Sequence, residues 1–308
     1  MYVGKYAIEK ANQPAIIMAE TGELLTYAEF DQRTNQVAHL LRSEGLNRLA
    51  HYALFMENAL PYAEICGGGE RSGLYYTCIN SYLTADELAY ILNNSESEVV
   101  FTSAAKLPIV KAALAQCPNV RRCYIIDGDS PGDQYCHYAD AIADLPSTPI
   151  SDEFLGTSML YSSGTTRQPK GIIRPLAECK PDELLPIYSF LLGLWQYREN
   201  MIYLSPAPLY HSAPQAAVGL TLRAGGTVVV MTRFDAERYL NYLPQYQVTH
   251  SQLVPTMFSR MLKLPVEERE QFDLSSLEIA IHAAAPCPVQ VKEQMIEWWG
   301  PIIHEYYG

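Results

Sequence analysis

Apolar positions recur at helical spacing through residues 26–44. In TYAEFDQRTNQVAHLLRSE, Phe30, Val37, Leu40 and Leu41 share one face. Thr26 can cap this helix, with Glu29 placed three residues on to return a bond to the cap, and Gly45 ends the pattern. The same logic predicts helices near residues 61–72 and over residues 84–93, where Thr84 and Glu87 repeat the capping pattern. Runs of another kind lie between them: residues 52–56, VVFT at 99–102 and residues 123–126. They are short, apolar and rich in β-branched or aromatic residues, as buried strands are. A helix over residues 106–115 completes the alternation, which predicts an α/β fold with a largely parallel sheet.

The Pro- and Ser-rich stretch DLPSTPISD, residues 144–152, reads as a linker. It divides the chain into an expected first α/β subdomain, 1–150, and a second, 151–308. In the second, helices are predicted at 181–197, 236–243, 256–264 and 288–298, with strands at 202–204, 227–231 and 279–283.

Composition narrows the function classes. The net charge is −12, from 34 acidic and 22 basic residues. That balance argues against a general binder of nucleic acid or anionic membrane, which would carry a basic face. The seven cysteines include no C-x-x-C pair, and the seven histidines are scattered. Reduced thiols are expected, and no metal site is indicated by spacing. The opening MYVGKYAIEKANQPA lacks the apolar core of a signal peptide. The most apolar stretch, residues 184–195, contains Pro186 and is too short to span a bilayer. A cytoplasmic location is the expectation.

The candidate chemistry lies in LYSSGTTRQPKGIIRP, residues 160–175. Ser162, Ser163, Thr165 and Thr166 offer hydroxyls, Gly164 and Gly171 let backbone amides approach an anion, and Lys170 adds a point charge. The segment is not a Walker loop. G-x-x-x-x-G-K followed by Ser or Thr would need glycine at Pro169 and a hydroxyl residue at Gly171. A run of this composition is ordinarily just a polar loop; it is the order of residues that separates this one. The string closely resembles the phosphate loop of the adenylate-forming superfamily of acyl- and aryl-CoA synthetases, luciferases and peptide-synthetase adenylation domains. Every position from Tyr161 to Gly171 matches that pattern except Arg167, where the family has glycine.

Further segments resemble the family in the same order. Residues 26–41 are similar to its early helix and residues 73–92 to the segment before the loop. PLYHSAPQ (208–215) resembles the aromatic-His motif beside the acyl pocket. IHAAAPCPVQVKEQM (281–295) resembles the strand and turn at the adenine pocket, and EYYG (305–308) the start of the adenine-stacking motif. The resemblance implies the N-terminal portion of an acyl-CoA synthetase-like fold, with two layered α/β subdomains and largely parallel sheets. It implies a two-step reaction: a carboxylate attacks the α-phosphorus of ATP, and coenzyme A then displaces AMP to give a thioester. ATP, Mg²⁺ and coenzyme A are the implied cofactors and a carboxylic acid the implied substrate; a homodimer stays open.

Carried over by position, residues from Ser162 to Lys170 would hold the β- and γ-phosphates, with Thr165 and Thr166 nearest magnesium. Tyr307 would stack on adenine with Ala284 and Ala285 along its plane, and His211 would lie near the substrate carboxylate. Taken alone, a histidine such as His211 is more often structural, and it is the PLYH context that favours a role. Tyr307 is one of 22 tyrosines and could be ordinary core, and Cys287 reads as a passive small residue. The apolar composition around 208–215 and 254–261 points to a fatty, aryl or sterol-type acid.

Two departures from the pattern matter. Arg167 in place of a glycine would cost about 1–2 kcal/mol if the position needs a positive φ, so impaired nucleotide binding is expected. The family's magnesium-binding glutamate, ribose-binding aspartate, hinge and lysine-bearing lid domain would fall after Gly308. This leads to the expectation that these residues alone are a truncated form with little or no ligase activity. The alternative is a non-catalytic nucleotide- or acyl-binding remnant that serves as an interaction protein.

Overall fold

A computed structural model describes residues 1–130, 132, 134–162 and 169–307, with Ser162 described through its backbone alone. The chain forms two compact units, neither a consecutive stretch. The first contains Met1–Asn12, Tyr27–Leu184 and Leu209–Ser212; the second contains Gln13–Thr26, Leu185–Pro208 and Ala213–Gly308.

The chain opens with α1 (Gly4–Glu9), passes through β1 (Pro14–Met18) and β2 (Leu24–Thr26) of the second unit, and returns in α2 (Tyr27–Ser43). The first unit continues with β3 (His51–Phe55), α3 (Pro61–Arg71), β4 (Tyr75–Cys78), α4 (Ala85–Asn94) and β5 (Val99–Thr102). It goes on through α5 (Leu107–Leu114), β6 (Arg122–Ile125), β7 (Tyr135–His137), α6 (Tyr138–Ala143) and β8 (Thr157–Ser158). A short hairpin, β9 (Leu160–Ser162) and β10 (Lys170–Ile172), follows.

Strands β3 to β8 make a wholly parallel sheet in the order β7-β6-β5-β3-β4-β8. Side chains alternate across it. Ala53, Phe55, Val100 and Cys123 meet Leu88, Ile91 and Leu92 of α4 and Val110 and Ala113 of α5. On the other face Phe101 stacks on Tyr124, and the edges of Tyr52 and Tyr138 close on it. Both faces are therefore covered, which is why β5 reads as the unbroken apolar run VVFT. Gly67, Gly68 and Gly69 give α3 its close seat. A Cβ at these positions would collide with Thr34 and Val37 of α2 and with Tyr52 of β3. Beneath them Glu64, fully buried, accepts from Arg33 Nε at 2.7 Å and from the Tyr138 hydroxyl at 2.6 Å.

The second unit holds α7 (Pro186–Leu194), β11 (Ile202–Ser205), α8 (Ser212–Ala224), β12 (Thr227–Val230), α9 (Ala236–Tyr246), β13 (His250–Leu253) and α10 (Pro255–Met261). It ends with α11 (Val266–Arg269), β14 (Ile279–His282), α12 (Val289–Trp299) and β15 (Ile303–Glu305). Its sheet runs β15-β14-β13-β11-β12-β1-β2, parallel throughout except where β2 pairs antiparallel with β1. Its core packs Tyr239, Leu240 and Leu243 of α9 and Met257 and Phe258 of α10 with Met295 and Trp299 of α12.

The α/β class and the parallel sheets are as expected. One helix is shorter than its apolar span: α7 starts at Pro186 and not at residue 181. Proline lacks the N–H that a first turn leaves free, and it holds the preceding Leu185 extended, with φ −62° and ψ 148°. Among the described residues no helix is long and apolar enough to cross a membrane.

Candidate functional site

The described ends of the glycine-rich segment pair as the β9–β10 hairpin of the first unit. Lys170 pairs with Ser162, Gly171 with Tyr161 and Ile172 with Leu160. Ser163, Gly164, Thr165, Thr166 and Arg167 lie outside the described residues. The hairpin is held from α4. The Tyr161 hydroxyl donates to Asn94 Oδ1 at 2.7 Å, and the Tyr90 hydroxyl donates to the carbonyl of Pro169 at 3.1 Å. Tyr90 and Asn94 stand four apart on α4 and so share a face, which grips both arms of the hairpin. The capping box at Thr84 and Glu87 anchors the start of that helix. Burial, aided by neighbouring Tyr90, raises the Tyr161 phenol, so it stays protonated and a donor.

Gly171 lies close against neighbouring side chains, so a larger residue there would need the flexible end of Met159 to shift. A Cβ there would fall 2.6 Å from Met159 Cε and 3.1 Å from the Tyr161 ring. Behind it Tyr75, Met159 and Leu176 form a small apolar cluster with Tyr161, and the Tyr75 hydroxyl bonds the Arg174 carbonyl at 2.7 Å. Lys170 is exposed.

His211 belongs to the same unit. Its segment is fastened where the Leu209 amide donates to the buried Asn58 Oδ1 at 2.8 Å. The His211 ring lies 4.4 Å from that of Tyr210, tilted by 52°. His211 is an exposed residue, yet desolvation of its ring by surrounding protein lowers its pKa. The imidazole is therefore neutral at pH 7 and can offer either a donor or an acceptor.

Ala284, Ala285 and Tyr307 gather in the second unit, past the carboxyl ends of adjacent strands. His282 of β14 pairs with Glu305 of β15, and the Tyr306 amide reaches the His282 carbonyl at 3.3 Å. Ala284 and Ala285 follow the first strand and Tyr307 the second; all three are exposed. Ala284 has φ +75°, a left-handed backbone that an alanine adopts at a cost of about 1 kcal/mol. A strained turn beyond a parallel strand is a place where function commonly resides. The exposed Tyr307 is not core: its neighbour Tyr306 takes the packed position, 5.8 Å from Trp195 and accepting from Gln252 Nε2 at 2.9 Å.

The sequence of strands in this sheet reverses between β11 and β13, and ligands of open parallel sheets bind outside the carboxyl ends at such a reversal. The residues leaving those ends are Pro206 and Ala207 after β11, and Val254 and Pro255 after β13.

Several groups around these positions were not legible beforehand. Tyr90 and Asn94 were not singled out by the sequence, although their four-residue spacing on α4 was a usable signal. His282 is fully buried under the Ala284 turn, edge-on to Phe258 at 5.4 Å, with Glu305 Oε2 3.9 Å away. Burial lowers its pKa, and the Glu305 charge opposes that shift. Lys292 of α12 ties Glu305 down at 2.5 Å and holds that carboxyl below its usual range. Among the described residues, no group of three His, Cys, Asp or Glu is placed to hold a metal ion.

Comparison with known proteins gives these positions a setting. The profile of the AMP-binding enzyme family matches residues 5–308, and the chain belongs to that family. It is 28% identical over 274 residues to a 4-hydroxybenzoate–CoA/benzoate–CoA ligase of Rhodopseudomonas palustris, covering 87% of this chain and 49% of that protein. It is 24% identical over 294 residues to a crotonobetaine/carnitine–CoA ligase of Citrobacter koseri, covering 92% of this chain and 54% of that one. The chain thus spans about half the length of these relatives. Among solved structures, the anthranilate CoA ligase AuaEII in complex with anthranoyl-AMP superposes with a TM-score of 0.85. That match has 22% identity and covers 99% of this chain and 58% of the other, a likeness of fold.

Proposed function

We propose that this chain takes part in ATP-dependent activation of a carboxylic acid, forming an acyl-adenylate and then a coenzyme A thioester. The observation that carries the reading is the β9–β10 hairpin that holds Lys170 and Gly171, clamped by Tyr90 and Asn94 of α4.

In this reading an oxygen of the acid attacks the α-phosphorus and pyrophosphate departs. Charge builds on the leaving phosphates, and the residues around Lys170 meet it: the ammonium as a point charge, Ser162, Ser163, Thr165 and Thr166 as donors, and Gly164 and Gly171 by letting amides approach. Ala284, Ala285 and Tyr307 would bound the adenine ring, and His211, neutral at pH 7, would orient the carboxylate by a hydrogen bond. The thiol of coenzyme A would then attack the acyl carbon and release AMP. Magnesium, when bound, neutralises phosphate charge; Thr165 and Thr166 are its candidate ligands.

The acid is of fatty, aryl or sterol type. Met257, Phe258 and Met261 are buried apolar residues following the reversal in the second sheet, and the relatives named above include a benzoate ligase. Pyrophosphate exchange into ATP, measured with a panel of such acids, tests the reading. Acid-dependent exchange that is lost in Lys170→Ala supports it, whereas ATP binding without exchange for any acid favours a non-catalytic binding protein. Arg167, where the family pattern has glycine, is the feature that keeps this second reading in play.

A further inference from the structure

The first unit contains a pair of thiols that the adenylation chemistry does not use. Cys66 lies fully buried in α3, and Cys78 closes β4 where the strand becomes half-buried. Their sulfurs stand 3.7 Å apart, across a sequence separation of 12 residues. Modest side-chain rotation brings sulfurs at that distance to the roughly 2.05 Å of a disulfide. The two thiols differ in character. Burial pushes the Cys66 thiol well up, so it does not react with solvent oxidants on its own; the Cys78 sulfur sits where the strand begins to meet solvent. Tyr62, one turn before Cys66 on α3, is buried as well, and the two thiols add to the burial that raises its hydroxyl.

The other close pair in sequence register does not share this geometry. Cys123 pairs with Tyr135 and Tyr124 with Cys136, so Cys123 and Cys136 point to opposite faces of the sheet.

We propose that Cys66 and Cys78 form a reversible intramolecular disulfide when the protein meets a hydroperoxide. Cys78 is oxidised first: its sulfur takes one peroxide oxygen to become a sulfenic acid, and the O–O bond breaks with release of water or an alcohol. The Cys66 sulfur then attacks the sulfenic sulfur. The S–O bond breaks, the Cys66 proton leaves with the hydroxyl as water, and the S–S bond joins α3 to the end of β4. A dithiol returns both cysteines to thiols.

The test is peptide mapping of the folded 308-residue polypeptide treated with hydrogen peroxide and quenched with N-ethylmaleimide in denaturant. The expected result is a cross-linked peptide joining Cys66 and Cys78, two hydrogens lighter than the reduced pair. The remaining five of the seven cysteines (7 − 2) are alkylated, and dithiothreitol before quenching restores all seven. In Cys66→Ala, Cys78 should be trapped as sulfenic acid by dimedone; in Cys78→Ala, Cys66 should stay a thiol. Recovery of Cys66 as an alkylated thiol while Cys78 is consumed overturns the proposal. So does oxidation of Cys136 or Cys179 under conditions that leave Cys66 and Cys78 unlinked. The map of the unsubstituted protein decides the matter even if a variant fails to fold.

Discussion

Tyr161 and Asn94 are joined by a 2.7 Å hydrogen bond that fixes one arm of the β9–β10 hairpin to α4. Lys170, on the other arm, inherits its position from that bond, because its backbone pairs with Ser162, next to Tyr161. Removing the hydroxyl in Tyr161→Phe should cost about 1 kcal/mol of stability. The change should also weaken ATP binding while leaving far-ultraviolet circular dichroism unchanged. Calorimetric titration with ATP reads the binding effect, and the variant binding as tightly as the parent would detach the clamp from the site.

Ala284 is strained at φ +75°, and glycine adopts that backbone freely. Ala284→Gly should therefore stabilise the protein by about 0.5–1 kcal/mol, the relieved strain exceeding the added freedom of the unfolded chain. Ala284→Val should destabilise it. Urea unfolding midpoints measure both, and a lower midpoint for the glycine variant would contradict the strain.

His250 contributes to acid sensitivity in the second unit. Burial first, and then the Arg198 charge, lower its pKa from 6.5 to about 4, against a partial pull upward from Glu278. Its Nδ1 lies 2.8 Å from Thr249 Oγ1. Because the folded pKa is depressed, the unfolded chain binds the extra proton first. The contribution is fully present above pH 6.5 and is lost as pH falls from 6.5 towards 4, on the order of 3 kcal/mol. Thermal melts should show a loss of stability across that window that is reduced in His250→Gln.

Glu64 is a carboxylate in a dry core, kept there by Arg33 and Tyr138. Burial still raises its pKa against their pull. Arg33→Ala strands the charge and should cost about 3 kcal/mol, while Arg33→Ala combined with Glu64→Leu should recover much of that loss. Denaturant unfolding of the two variants distinguishes an ion pair that compensates burial from one that adds stability.

The helices with capping signals and strong periodicity, α2 and α4, were legible within a residue or so, as were the apolar strands β5, β12 and β14. Elements that escaped share a cause. β13 is the polar string HSQL, yet all four residues are buried, because Ser251 satisfies its hydroxyl on the Leu204 carbonyl across the sheet. Partners distant in sequence decided its state, and no local pattern records them. β9 and β10 are three residues each and exist through their pairing. Helix α3, expected near residues 61–72, runs Pro61–Arg71 despite three glycines that local propensity counts against a helix; close approach to α2 and β3 explains them. For the candidate site, the order of hydroxyls, glycines and lysine was readable, whereas the clamp from Tyr90 and Asn94 was not, since it joins segments 67 residues or more apart.

On the proposed function, the hairpin that carries Lys170 and Gly171 holds the phosphates of ATP. The most direct measurement is the affinity for ATP of the 308-residue polypeptide and of its Lys170→Ala variant, by calorimetry at one fixed salt concentration. Loss of a charge-assisted contact of about 1.5–3 kcal/mol corresponds to a dissociation constant roughly 10- to 100-fold higher in the variant. Equal affinity for ATP in the two proteins would contradict the account.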